Sequence, residues 1–187
     1  MPRLPTRVLE WRAMFAAEVL SEIQEPELID GVRVRKVSPK LRHATVQLTL
    51  GMILRRCAQG RGKVATEWRC LLESGRSELV PDVSFVSNER LAPLSTEERE
   101  MPPFAPDVAV EVRSPKDKHS VLSRKSAVYR SHGCLLVLDV DPQTRTIRAL
   151  EGDSERAFSE SERFASAALP WLVFEVRAAF EGLDESA

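Results

Sequence analysis

The chain has 187 residues, of which 43% are hydrophobic and 29% charged, enough apolar content for one cored domain and too much for a disordered segment. Its 27 Lys and Arg nearly balance its 28 Asp and Glu, so the net charge of −1 by itself indicates no polyanionic partner. The apolar runs are short and broken by charge, and Met1–Arg7 lacks a leader-like apolar stretch. The cysteines Cys57, Cys70 and Cys134 have no paired spacing. These features argue against a membrane span, a secretory signal, a disulfide framework and a thiolate zinc site, and the expectation is a cytoplasmic protein.

In chain order, Thr6 to about Leu20 carries apolar residues at helical spacing, so residues 1–26 are predicted as a helical segment ahead of a single globular domain over 27–187. Glu27 to Val37 reads as a hairpin, because Asp30-Gly31 is a strong turn pair and Val32 and Val34 alternate with Arg33 and Arg35. Leu41 to Gln59 places Val46, Leu50, Ile53, Leu54 and Cys57 on one helical face, with Gly60 as the stop. Strands are predicted at Val64–Leu72, Val80–Val86 and Val108–Val112. A proline-rich acidic surface loop separates the last two. A helix follows over about Ser120 to His132, then a strand from Cys134 to Val140 apolar enough to be covered on both faces. Thr144–Leu150 is a further strand, and the tail adds a short strand and a helix near Leu172–Phe180. This order predicts an α/β fold: a mixed sheet flanked by helices, with a strand–helix–strand crossover between Val108 and Val140.

The charge is unevenly distributed. Residues 31–70 hold ten basic side chains and one acidic one (10 − 1 = +9), whereas the last 37 residues hold three basic and nine acidic ones (3 − 9 = −6). A local positive surface of this kind attracts phosphate backbones, although a solvated Arg-rich helix and hairpin give the same arithmetic.

Two carboxylates stand out. Asp82 follows Pro81 at the head of an apolar strand, and Glu111 lies within Val108-Ala-Val-Glu-Val112, where an unpaired charge would be costly. Strand periodicity puts Asp107, Ala109, Glu111 and Arg113 on one face. If the two strands are neighbours, Asp82 and Glu111 converge, and carboxylates sharing one cavity are compatible with Mg²⁺ or Mn²⁺ between them. For either acid alone, solvation at a strand end is the simpler reading.

Several motifs occur in one order: Glu27-Leu-Ile-Asp-Gly31, the His43-containing helix start, Val80-Pro-Asp-Val-Ser-Phe-Val86, Pro106-Asp-Val-Ala-Val-Glu-Val-Arg-Ser-Pro115, Lys125-Ser-Ala-Val-Tyr129 and Asp139-Val-Asp-Pro142. The series resembles the Uma family, classed as restriction endonucleases within the PD-(D/E)XK nuclease superfamily, over about Glu27 to Leu150. The resemblance implies a restriction-endonuclease-like core and metal-dependent cleavage of DNA phosphodiester bonds. It implies Asp82 and Glu111 as metal-binding acids, with Glu27 as an additional one. It also implies Lys125, from the following helix, in place of the usual E-x-K lysine, with Tyr129 one turn later.

Two positions depart from the family pattern: Arg113 stands where an aliphatic residue is usual, and Lys116 where a serine is usual. Arg113 is expected near Glu111, either assisting catalysis at a phosphate or salt-bridging Glu111 and displacing the metal. The second outcome would make the chain an inactive nuclease fold serving as a nucleic-acid-binding or protein-interaction module. Arg42, His43, Arg55 and Arg56 are the expected DNA contacts. A homodimer is expected only on the ground that symmetric cutting of two strands favours one.

Overall fold

The computed structural model describes residues 26–34, 40–72, 75–115 and 119–184. The helix expected before residue 20, the end of the hairpin strand beyond Val34, and Lys116 lie outside the described residues.

The first hairpin joins β1 (Glu27–Ile29) to β2 (Val32–Val34). Its turn residues, Asp30 and Gly31, both have positive φ (48° and 79°), the geometry a two-residue hairpin needs to match strand twist. Helix α1 (Leu41–Ala58) follows, with Val46, Leu50, Ile53 and Leu54 buried in the core. It ends at Gln59, which takes the left-handed conformation one residue before Gly60, and Arg55 and Arg56 in its last turn complement the helix dipole. No described helix is long and apolar enough to cross a membrane.

The run expected as one strand from Val64 to Leu72 is divided. β3 (Gly62–Thr66) and β4 (Cys70–Leu72) belong to different sheets, and the chain turns between them at Glu67, whose φ is 54°. An apolar count cannot reveal such a break, because it lies in the backbone of one residue. β5 (Ser77–Leu79) precedes Pro81-Asp82, and β6 spans Val83–Ser87. The proline-rich stretch contains two short helices, α2 (Asn88–Leu91) and α3 (Thr96–Glu100), rather than being only loop. A capping box between Ser95 and Glu98 starts α3, and the Trp68 indole N–H donates to the carbonyls of Arg99 and Glu100 at its end.

β7 (Val108–Val112), α4 (His119–Ser131) and β8 (Leu136–Asp141) form the expected crossover, since β7 and β8 pair in parallel. β9 (Thr146–Glu151) and β10 (Ser154–Ser159) continue as a hairpin, followed by β11 (Arg163–Ala165) and β12 (Val173–Glu175). The helix expected at the end is a single five-residue 3₁₀ segment, Val176–Phe180.

Among the described residues the strands form three sheets: β10-β9-β8-β7-β6-β3, β2-β1-β5-β4 and β11-β12. One face of the six-stranded sheet, through Val108, Val110 and Val112, packs with Val46 and Leu50 of α1 and with the tail aromatics Phe164 and Phe174. The opposite face, through Ala109 and Val137, packs with Tyr129 of α4 and with Ile29, Leu72 and Leu79 of the four-stranded sheet. β7 and β8 are therefore covered on both sides, as their apolar runs require. This is the mixed α/β architecture predicted from the sequence.

Candidate functional site

The strand pairing sets the site. β6 and β7 are antiparallel with Val83 opposite Val110, so extending that register by one residue brings Asp82 opposite Glu111. The Asp82 side chain closes the strand end, with its Oδ2 accepting the backbone N–H of Val112 at 2.7 Å. The parallel partner of Glu111 on β8 is Asp139, and the antiparallel partner of Asp139 on β9 is Arg148. A row of charged residues thus runs across the centre of the sheet, where side chains one strand apart stand roughly 4.8 Å from each other.

Glu111 is 5% exposed and lies on the Ala109 face, covered by α4. α4 supplies Lys125 and, one helical turn later, Tyr129, both buried. The Lys125 ammonium is 2.7 Å from the Glu111 carboxylate, and the Tyr129 hydroxyl donates to Glu111 Oε1 at 2.8 Å. The same ammonium lies 2.8 Å from Glu27 Oε1, which also accepts the Val80 N–H at 2.8 Å. Glu27 thus joins the hairpin, the strand leading to Asp82, and α4 around one cation.

The electrostatics follow from burial. Desolvation raises the Glu111 pKa most, with the carboxylates of Asp82 and Glu27 adding to it, and opposition from Lys125 leaves the value at about 7. For Lys125, desolvation acts against the charge, but Glu111, Glu27 and Asp82 outweigh it and hold the ammonium above the usual lysine range. The Tyr129 hydroxyl is pushed well up by burial and by Glu111, so it is a donor in the neutral form. Three buried carboxylates, Glu27, Asp82 and Glu111, share this one buried lysine.

His43, expected at the DNA surface, is instead nearly buried, on the inner side of α1. Its Nε2 lies 3.2 Å from Asp82 Oδ2, and Gln47 one turn later donates to the Asp82 carbonyl at 2.9 Å and to Glu67. Arg42, Arg55 and Arg56 are exposed, as a backbone-tracking role requires. The outward face they flank also carries Leu41, Leu48 and Met52, so it is less purely basic than the sequence suggested.

Arg113 shares the Glu111 side of the sheet. Its backbone N–H donates to the Val140 carbonyl at 2.8 Å, continuing the ladder beyond β7. Its guanidinium engages Asp139 through Nε and Nη2, both at 2.6 Å, and the cation salt-bridged to Glu111 is Lys125. Arg148 also reaches Asp139, with Nη2 at 2.9 Å. From the sequence, Asp139 entered only as the start of a motif with no role given to it, and Arg148 was not singled out. A signal existed for Asp139, since it interrupts a run as apolar as the one around Glu111. Nothing local marks Arg148.

The acids present suit a hard divalent cation in donor chemistry and in charge: oxygen ligands, buried, in excess over the lysine that accompanies them. Glu27, Asp82 and Glu111 do not, however, gather around one point as the sequence reading expected. Among the described residues no three His, Cys, Asp or Glu side chains are arranged to hold a metal, and Lys125 stands between Glu27 and Glu111. The two acids that the strand register brings opposite each other are Asp82 and Glu111.

Comparison with known proteins agrees with this core. A family model described as "Uma2: Putative restriction endonuclease" matches residues 12–177. A crystal structure of "a putative nuclease belonging to DUF820" from Anabaena variabilis ATCC 29413 superimposes with a TM-score of 0.74 at 20% identity, covering 83% of this chain and 89% of that one. At that identity the likeness bears on the fold alone. No curated protein matches the chain.

Proposed function

Since the chain belongs to the Uma2 family of restriction-endonuclease-like proteins, we propose that it is a metal-dependent endonuclease hydrolysing DNA phosphodiester bonds. The observation that carries this reading is the charge imbalance at the site: three buried carboxylates with one buried ammonium between two of them. Buried negative charge in excess over the lysine is expensive unless a further cation joins it, which favours a cation at these acids.

Asp82 and Glu111 would hold Mg²⁺ or Mn²⁺. Such an ion, when bound, supplies an acidified water and neutralises charge on a phosphate oxygen. Tyr129 fixes Glu111 by hydrogen bond, and the Val112 N–H and His43 fix Asp82. Lys125 is the cation that orients the attacking water or stabilises charge on the phosphate, and Glu27 holds it in place on α4. Glu27 therefore acts through Lys125 more directly than as a third metal ligand. Arg42, Arg55 and Arg56 on the exposed side of α1 would track the phosphate backbone.

The test is cleavage of supercoiled plasmid with Mg²⁺ or Mn²⁺. Asp82→Asn and Glu111→Gln are each expected to abolish nicking while retaining the fold by circular dichroism. Retained cleavage by both variants would overturn the assignment.

A further inference from the structure

β3 is an edge strand of the six-stranded sheet, paired with the β6 strand that follows Asp82, and a cavity of about 330 Å³ opens beside it. Lys63 of β3, Trp68 just past the Glu67 turn, Asn88 and Leu91 of α2, Ala92, and Arg99 of α3 line it. Its size is at the small end of ligand cavities, which run from roughly 300 to 1,000 Å³. The register relates it to the acids. Lys63 pairs with Val86, Ala65 with Ser84, and Ser84 with Ala109, so Lys63 projects on the Glu111 side of the sheet. The Glu67 N–H donates to the Asp82 carbonyl, so the run of β3 from Lys63 to the level of Asp82 is roughly 13 Å. That span is about four base steps of a DNA strand.

The lining has the chemistry of a nucleotide receptor. Trp68 is half-buried, and its indole N–H is anchored on the Arg99 and Glu100 carbonyls, which fixes the ring. Asn88 donates Nδ2 to the Gly60 carbonyl and keeps its Oδ1 as an acceptor. Arg99 donates Nε to the Leu91 carbonyl and Nη2 to the Ala92 carbonyl, which leaves further N–H donors on the guanidinium. Among the described residues Lys63 makes no hydrogen bond or ion pair, and no carboxylate lines the cavity. A fixed ring, an apolar floor, an amide acceptor and two cations match the π-face, the polar edge and the phosphate of one nucleotide.

We propose that this cavity holds one unstacked base of the DNA strand against Trp68, with the adjoining phosphate on Lys63 and Arg99. The inference rests on the nuclease reading and adds to it that the substrate is gripped with one nucleotide out of the stack, a few steps from the bond to be cut. A base already free of a duplex enters without the cost of unpairing, so single-stranded or frayed DNA is the favoured ligand of the cavity.

The test is binding of a fluorescein-labelled oligothymidylate, and of a labelled duplex, by anisotropy in EDTA over a series of salt concentrations. No metal or turnover is then required. Trp68→Leu is expected to weaken oligothymidylate binding roughly 5- to 150-fold, the range of one lost base–aromatic stack. Trp68→Phe keeps a ring and should restore most of the affinity. Lys63→Gln, at an exposed residue, should lower the slope of log affinity against log salt by about 0.7, one phosphate contact on a single strand. Wild-type affinity in Trp68→Leu, or a wild-type slope in Lys63→Gln where the Leu variant does not fold, would overturn the base pocket and leave the nuclease reading standing. Trp68→Phe as weak as Trp68→Leu would overturn stacking as the means of binding. Free thymidine 5′-monophosphate bound as tightly as the oligonucleotide would overturn DNA as the source of the base. Binding of neither DNA by the wild type would overturn both the pocket and the nuclease reading.

Discussion

Replacing Lys125 by Met removes the one ammonium shared by Glu27 and Glu111 and keeps most of the side-chain volume. Both ion pairs are short and almost fully buried, with side-chain exposures of 5% for Lys125, 5% for Glu27 and 7% for Glu111. Solvent screening is therefore slight, and removing one partner of such a pair costs about 3–5 kcal/mol. The loss should depend on pH, with a sign that can be worked out. Without the lysine, the folded state relieves repulsion by keeping protons on its carboxyls, whereas the unfolded chain releases them above a pKa of about 4.3. The folded state then binds more protons than the unfolded one, so stability falls as pH rises, by up to about 1.4 kcal/mol per pH unit for each retained proton. Urea unfolding followed by circular dichroism should thus show a larger destabilisation at about pH 8 than at about pH 5.5. A loss below about 1 kcal/mol at both pH values would refute the claim that this ammonium compensates the acids, since that is the range of an exposed pair.

In wild-type protein kept in EDTA, the raised Glu111 pKa of about 7 means that stability falls between roughly pH 4.5 and 7, where the unfolded chain has released a proton that the fold still holds, and the corresponding slope should shrink in Glu111→Gln. Tyr129→Phe removes a buried hydrogen bond to Glu111 and should cost about 1.5–3 kcal/mol in the same urea assay; an effect under half of that would mean the hydroxyl is not needed there. Gly62→Ala should lower Tm by several degrees or prevent folding, because a Cβ there would lie 2.1 Å from the Val86 carbonyl oxygen and 2.7 Å from the Phe85 ring, and β3 could not stay paired with β6. Burial pushes the thiols of Cys70 and Cys134 up to about 12, so a thiol reagent should modify the half-buried Cys57 first and reach the other two only on unfolding.

The elements carrying the chemistry were legible because their patterns are local. Val108–Val112 and the crossover to β8 follow from short, mostly apolar Val- and Leu-rich runs, and α1 follows from an apolar stripe with a Gly stop. Asp82 and Glu111 could be picked out because each interrupts or heads an apolar strand. The surroundings were less legible because they depend on register. That the Arg113 fork engages Asp139 follows from a pairing between strands more than twenty residues apart, and Arg148 enters only through the next pairing along the sheet. His43 looked like an exposed helix-start residue, yet it stands on the same buried stripe of α1 as Val46 and Leu50, which turns it inward onto Asp82. The split of β3 from β4 at Glu67 and the capped helix α3 have the same origin, a few backbone torsions and one capping interaction that hydropathy does not record.

The central claim is that the buried acids Asp82 and Glu111 form the seat of a divalent cation. Calorimetric titration with Mn²⁺, on the wild type and on Glu111→Ala, tests it without any assumption about the DNA sequence that is cut. The account predicts binding by the wild type that is lost in Glu111→Ala. Equal binding by the two proteins, or none by the wild type even with duplex DNA present, would contradict it.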